Sequence, residues 1–257
     1  MGKVLSLMNE KGGVGKSALT FSCAWELAMR GKKILLIDMD GQMANISYLA
    51  GIETDDHTLT MADVLLRGVS IRDTVVNLPK SSEGMMIQIV PANASMAGLP
   101  QTAKISRMKK AIQEIKGDYD YVFLDVNPSP DWRHALTMSV LDGIVVVMRP
   151  DILSLEANRG IFDSIDEIQV SANPDMKVLG FVLNCYDSRT RLGSAVVDKA
   201  SEMAEYYRTR LFGTRVRNAV AFSESAISRM GVTSYAPKSF VADDIRSLTN
   251  ELEVLAG

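Results

Sequence analysis

Seven residues, Lys11-Gly12-Gly13-Val14-Gly15-Lys16-Ser17, constrain this chain more than any other segment. They stand between an apolar run, Val4 to Met8, that reads as a strand and a helix-length stretch, Ser17 to Arg30. Glycines let a backbone curl until successive N–H groups point into one anion-sized nest. The helix that follows adds the partial positive charge of its N-terminus. Strand, glycine-rich loop, Gly-Lys-Ser and helix, in that order, form a phosphate-binding loop. In such a loop Lys16 would bridge the β- and γ-phosphates of a nucleotide, and the Ser17 hydroxyl would ligate Mg²⁺. Gly12, Gly13, Val14, Gly15 and Ala18 would complete the cradle. The alternative, a Gly-rich turn with an incidental lysine, requires neither the strand before it nor the helix after it.

One departure stands out. The usual loop has a glycine five positions before Gly15, and this chain has Glu10 there with Lys11 next. A second lysine inside the loop is poorly placed to serve the same phosphates from the same side. Lys11 is then either a solvated loop charge or a group that crosses a dimer interface to a partner's γ-phosphate, as an arginine finger does.

Further apolar runs follow: Lys33 to Ile37, Met86 to Val90, Tyr121 to Leu124, Gly143 to Met148 and Lys177 to Leu183. They are continuous rather than alternating, as expected of parallel strands covered on both faces. Helix-length stretches lie between them at Thr102 to Lys116, Leu153 to Ile168 and Ala195 to Arg210. The pattern predicts an α/β fold, a single doubly wound and mostly parallel sheet with helices on both faces. No linker, repeat or low-complexity tract divides residues 1–257, so one domain is expected. Gly51 to Gly84 gives no clear period.

Composition limits the alternatives. Of 257 residues 47% are hydrophobic and 23% charged, enough for a sizeable core and too apolar for disorder. No apolar run approaches the roughly 20 residues of a membrane span. The N-terminus enters a strand at once, without a cleavable signal, so a soluble cytoplasmic protein is expected. Cys23 and Cys185 lie far apart and His57 and His134 are the only histidines, which disfavours a disulfide framework, a metal cluster or a Ser-His-Asp triad. Met39 and Met85-Met86 read as core fillers.

Three carboxylates sit where a doubly wound sheet places its ligand crevice, at strand carboxyl ends. The second strand closes in Asp38-Met39-Asp40-Gly41-Gln42, and Tyr121-Val122-Phe123-Leu124 runs into Asp125. Asp40 is the candidate for holding an attacking water in line with the γ-phosphate, a positioning task. Asp38 would lie near the Mg²⁺ shell, and Asp125 would hold Mg²⁺ through a water. For any of these acids a helix N-cap after a strand is the structural alternative.

These residues resemble the ParA/MinD superfamily of deviant-Walker P-loop ATPases. The signature loop is matched by Asn9-Glu10-Lys11-Gly12-Gly13-Val14-Gly15-Lys16-Ser17, and the second motif by Asp38, Asp40, Gln42 and Asn45. The likeness continues through Ile89-Val90-Pro91-Ala92-Asn93, Tyr186-Asp187-Ser188-Arg189-Thr190, Leu211 to Asn218 and Tyr235-Ala236-Pro237-Lys238-Ser239, and its C-terminal blocks look like the DNA-partition branch. The resemblance implies an ATP- and Mg²⁺-dependent homodimer with two sandwiched nucleotides and Lys11 acting in trans. It implies non-specific DNA binding on the nucleoid, and weak hydrolysis stimulated by a centromere-binding, ParB-like adaptor, so that DNA of a plasmid or chromosome is segregated. By the same matching Asn184 and Val216-Arg217-Asn218 would lie against the adenine, and Arg189 and Arg217 would bind DNA. The chain departs from the family at Gly41 for Pro, at Val126-Asn127-Pro128-Ser129 for Thr-Pro-Pro-Ser, and at Val216 for Pro.

Charge refines this reading. The chain carries 28 Lys+Arg and 31 Asp+Glu, a net charge of −3, which does not advertise a nucleic-acid binder. Between Arg189 and Arg217, however, seven basic residues, among them Arg191 and Arg215, face three acidic ones. Doubled in a dimer, such a stripe would bind DNA weakly and with strong salt dependence; a solvated helix face is the alternative. The last segment, Asp243 to Gly257, has four acids and one arginine and would be repelled by anionic lipid. Its Ile245, Leu248, Leu252 and Leu255 are expected to pack on the domain instead, so no membrane contact is expected. Two other functions share the motifs: positioning of a protein cargo, or a nucleotide-switch regulator with little hydrolysis.

Overall fold

The computed structural model describes residues 2–42, 45–100, 105–129, 131–150, 159–187 and 191–257; for Ala97, Arg159 and residues 191–194 it describes the backbone alone. In chain order the first elements are β1 (Lys3–Met8), α1 (Lys16–Met29), β2 (Ile34–Asp38), α2 (Ile46–Leu49), α3 (Met61–Arg67), β3 (Val76–Asn77), β4 (Ile87–Val90), α4 (Ala94–Ala97) and α5 (Ile105–Ile115). Then come β5 (Tyr121–Asp125), α6 (Trp132–Met138), β6 (Gly143–Met148), α7 (Arg159–Ser171), β7 (Lys177–Tyr186), α8 (Arg191–Tyr206), β8 (Leu211–Arg217), α9 (Ala221–Ser228), α10 (Val232–Tyr235) and α11 (Phe240–Ala256).

The strands form one sheet in the order β3-β4-β2-β5-β1-β6-β7-β8. Every pairing is parallel except β3 with β4. Successive strand side chains point to opposite faces, and here both faces are apolar. Val4, Leu35, Ile37, Val122 and Leu124 join a core with α3, α5, α6, α7 and α8. Leu5, Ile34, Leu36 and Phe123 join a second core with α1, α10 and α11. That is why the central strands read as unbroken apolar runs. From β1 the chain steps over the β5 slot to β2, and β6 flanks β1 on the other side, so the loop after β1 sits where the winding reverses.

Two strands went unread in the sequence. Of β8 only Phe212 and Val216 are buried, and β3 is an exposed two-residue edge, so neither carries a continuous apolar signal. Within Gly51 to Gly84, α3 starts from a capping box between Thr60 and Asp63. Helix α8 stops four residues before the expected Arg210: Arg208 turns left-handed, at φ 52°, and Thr209 N–H bonds back to the Ala204 carbonyl. Helix α7 continues to Ser171, and the expected helical residues 102–104 and 153–158 lie outside the described residues. Met39 is buried as a core filler and Met85 packs partly on the core, but Met86 is half exposed because it precedes β4. In α11 Ile245, Leu248 and Leu252 are buried and Leu255 packs beside them. Among the described residues no helix is long and apolar enough to cross a membrane.

Candidate functional site

The loop between β1 and α1 is fixed from outside itself. Asn9 donates from Nδ2 to the Val147 carbonyl at 2.6 Å, and its Oδ1 accepts the Lys11 N–H at 2.7 Å. Gly13 and Gly15 hold φ of 73° and 91°, where a side chain would be strained. At Gly15 a Cβ would also overlap the Asn184 amide nitrogen, which donates to the Val14 carbonyl at 2.7 Å. Asn184 thus comes from β7 to brace the loop, and Val14 is packed into the core.

The two lysines part company here. Lys16 is buried, 6% exposed, with Nζ 3.3 Å from the Lys11 carbonyl it donates to. Burial lowers its pKa, while the Asp125 and Asp40 carboxylates oppose that shift. Lys11 is exposed, as are Gly12 and Gly13 after it. Ser17 and Ala18, half-buried, open α1, whose first N–H groups face the loop without a side-chain cap. Such a terminus favours an anion.

Asp38 and Asp125 are register neighbours across β2 and β5 and both are buried. Their environments differ. Asp38 accepts the Asp40 N–H at 2.8 Å, the Ser47 N–H at 3.0 Å and the Ser47 hydroxyl at 2.5 Å. Burial, then the Asp125 charge, push its pKa well up against those bonds. Through these bonds Asp38 organises the loop after β2, beside Asp125 at the strand ends. Asp125 has no hydrogen-bond partner for either oxygen. Burial pushes it up to about 7, opposed chiefly by Ser17 and Lys16. A buried carboxylate without donors, beside a hydroxyl and under an anion nest, fits Mg²⁺ held jointly with phosphate oxygens and water. Among the described residues no group of three or more His, Cys, Asp and Glu could hold a metal by itself, consistent with that shared donor set.

Asp40, half-buried, accepts the Gln42 N–H at 3.0 Å. Its carbonyl accepts Asn45 Nδ2 at 2.6 Å, and Asn45 Oδ1 caps α2 by accepting the Tyr48 N–H at 3.1 Å. Asp40 is therefore linked to α2 through Asn45. Across the crevice Asn127 and Asp131 lead into α6. The buried His134 ring holds the Asn127 carbonyl at 2.7 Å through Nε2, and burial lowers its pKa.

The positions matched to adenine and DNA are less uniform. Val216 is fully buried, backbone included, whereas Asn218 is exposed. Arg217, matched to DNA, is half-buried and pairs within the fold. Its Nη2 and Nε meet Asp244 at 2.6 and 2.9 Å, its N–H adds a bond to the same carboxylate, and the guanidinium lies 4.6 Å from the Phe240 ring centroid. Arg215 lies 5.7 Å from the Tyr186 ring centroid. Arg189 and the Arg191 side chain lie outside the described residues. Sequence reasoning missed Ser47 and His134, and it missed Glu10 as the acceptor of the Ser164 hydroxyl at 3.1 Å. Glu10 and Ser164 are 154 positions apart, whereas Ser47 and His134 act over 9 and 7 positions, and none of these contacts carries a local motif.

Comparison with known proteins gives the chain its family. Residues 2–178 match the model of a family described as an AAA domain. The chain is 28% identical over 257 residues to the sporulation initiation inhibitor protein Soj of Bacillus subtilis, with 98% of each chain covered. It is 30% identical over 230 residues to the chromosome partitioning protein ParA of Caulobacter vibrioides, covering 87% of this chain and 83% of that one. In fold it resembles the septum site-determining protein MinD of Pyrococcus horikoshii, solved with Mg-ADP, at a TM-score of 0.79 and 23% identity over 100% of this chain and 98% of that one. With its second loop lysine, its buried Lys16 and its strand-end carboxylates, the chain belongs to the ParA/MinD superfamily of P-loop ATPases.

Proposed function

We propose that this chain, acting as one unit over its 257 residues, is a partition-type ATPase: an ATP-dependent homodimer that binds DNA non-specifically and segregates it. The observation that carries this is the division between the lysines. Lys16 is buried and donates to the Lys11 carbonyl, whereas the Lys11 residue is exposed, open to a second subunit's nucleotide. ATP phosphates lie on residues 11–18, with Ser17 and Asp125 on the Mg²⁺ side. The metal, when bound, neutralises phosphate charge. Asp40 orients the attacking water, and Lys16 and the partner's Lys11 hold charge developing on the γ-phosphate. Asn184 supports this site through Val14, and the segment 216–218 borders the base through Asn218. Arg189, Arg191 and Arg215 supply the DNA-facing charge, without Arg217. A centromere-bound, ParB-like adaptor stimulates hydrolysis and releases the dimer, which works in the cytoplasm on the nucleoid. The 28% and 30% identities to Soj and ParA over most of the chain support this choice within the superfamily.

A second reading, positioning of a protein cargo by the same switch, is favoured by the net charge of −3 and by the neutralisation of Arg217 by Asp244. DNA retention by the purified protein with ADP, ATP and a slowly hydrolysed ATP analogue, across a salt series, separates the two. Retention of arbitrary DNA only with the triphosphate, fading steeply with salt, is the expected outcome. A formed dimer that ignores DNA at every salt concentration sinks the partition reading.

A further inference from the structure

Helix α9 ends in an unusual way. The Arg229 N–H bonds to the Ala226 carbonyl and the Met230 N–H to the Ser225 carbonyl, at 3.2 and 3.1 Å, with Arg229 left-handed at φ 58° and ψ 37°. This is the helix stop in which glycine is the favoured residue. An arginine in such a turn is not itself a signal, since Arg208 ends α8 the same way and is exposed. Arg229 differs in where its side chain goes. Its guanidinium lies over the Tyr48 ring, 4.1 Å from the centroid, and Nη1 donates to the Tyr48 carbonyl. Its stem fills the space left by Gly51, where an added Cβ would stand 3.3 Å from Arg229 Cβ and Cγ. Three contacts thus seat one side chain of α9 on the far end of α2.

Helix α2 has only four residues, too few to hold its place without tertiary contacts. At its start Asn45 caps the Tyr48 N–H and donates to the Asp40 carbonyl. At its end Arg229 grips Tyr48. We propose that Arg229 is a positioning residue for ATP hydrolysis: by clamping Tyr48 it fixes α2, and through Asn45 it fixes the Asp40 main chain. On this reading Arg229 acts through α2 and not on the nucleotide itself. The inference rests on the reading of Asp40 as the residue that orients the attacking water, and misplacing such a group by about 1 Å costs up to roughly a hundredfold in rate.

Arg229→Gly removes the clamp while giving the turn its favoured residue, so the backbone of α9 is not the casualty. Phosphate release by this variant at saturating Mg-ATP is expected to fall about tenfold, with KM for ATP and the melting temperature unchanged. Tyr48→Leu, which leaves the α9 turn intact, should reproduce the loss, and the double variant should be no slower than the worse single one, because both remove one interaction. A rate within twofold of the parent in both single variants, or a loss that appears in KM or melting temperature instead, overturns the inference. Asp40→Ala is measured beside them. If it hydrolyses ATP like the parent, the water-orienting reading fails, and with it the route from Arg229. If it is inactive while Arg229→Gly and Tyr48→Leu are normal, the clamp alone fails.

Discussion

Two neighbouring aspartates at the carboxyl ends of β2 and β5 show how residue environment divides labour within one crevice. Asp38 is buried with three donors on its oxygens, and Asp125 is buried with none. A buried carboxylate without donors destabilises the empty protein, because its charged form gives up hydration and gains little in return. Its folded pKa of about 7 lies above the unfolded value of about 3.9, so folding favours the protonated form. Below the unfolded value both states carry the proton and there is no penalty. As pH climbs toward 7 the folded state resists ionisation, and the penalty grows to at most about 4 kcal/mol. Asp125→Asn removes the charge at similar shape. Without nucleotide and metal, the variant should melt well above the parent at pH 8 and only slightly above it at pH 4.5. Equal differences at the two pH values would show that Asp125 carries no buried charge. Adding Mg-nucleotide at pH 8 should stabilise the parent more than the variant, since only the parent brings a carboxylate to the metal.

At the scale of elements, the edge strand β8 is tied to α11 by Arg217 and Asp244, a tie in which Asp244 competes with any phosphate for the same guanidinium. Asp244 is largely buried and accepts three bonds from Arg217, whereas the Arg217 side chain is 43% exposed and its pair with Asp244 is screened by water. Arg217→Ala should therefore cost about 1 kcal/mol of stability and leave DNA retention near the parent level. Asp244→Ala should cost somewhat more, because it strips a carboxylate from a backbone N–H as well, and the two losses should not add. Thermal melts of the two single variants and the double variant check the coupling. Loss of DNA retention in Arg217→Ala with no change in melting would restore it as a phosphate contact. The same edge location explains what was legible. Strands β1, β2, β5 and β6 declare themselves because both faces are covered and most of their residues are apolar. Strand β8 buries only Phe212 and Val216, and its Arg215 and Arg217 read as surface charge rather than as strand.

For the whole molecule, legibility followed sequence distance. The phosphate loop, α1 and the acids at strand ends are local words, so the crevice and its anion chemistry were readable before any coordinates. The braces are not local. Asn184 reaches Val14 across 170 positions and Arg229 reaches Tyr48 across 181, and only the order of the strands and helices brings each pair together. Asn184 was singled out, but for the adenine, because nothing in its neighbourhood says that its amide is held by the loop. The placement of Lys11 has a consequence that belongs to the assembly. A ligand present at 100 times its Kd adds about 2.7 kcal/mol, roughly 5–10 °C in melting temperature for a chain of this size. If nucleotide also closes a dimer, the melting temperature with a slowly hydrolysed ATP analogue and Mg²⁺ should rise further with protein concentration, and with ADP it should not. Lys11→Ala should keep the first rise and lose the concentration dependence, whereas Lys16→Ala should lose both. A Lys11→Ala protein whose melting still climbs with concentration would place Lys11 among ordinary solvated loop charges. One that loses the first rise as well would place it on its own nucleotide, so differential scanning calorimetry at two protein concentrations distinguishes a lysine that serves its own subunit from one that serves the partner.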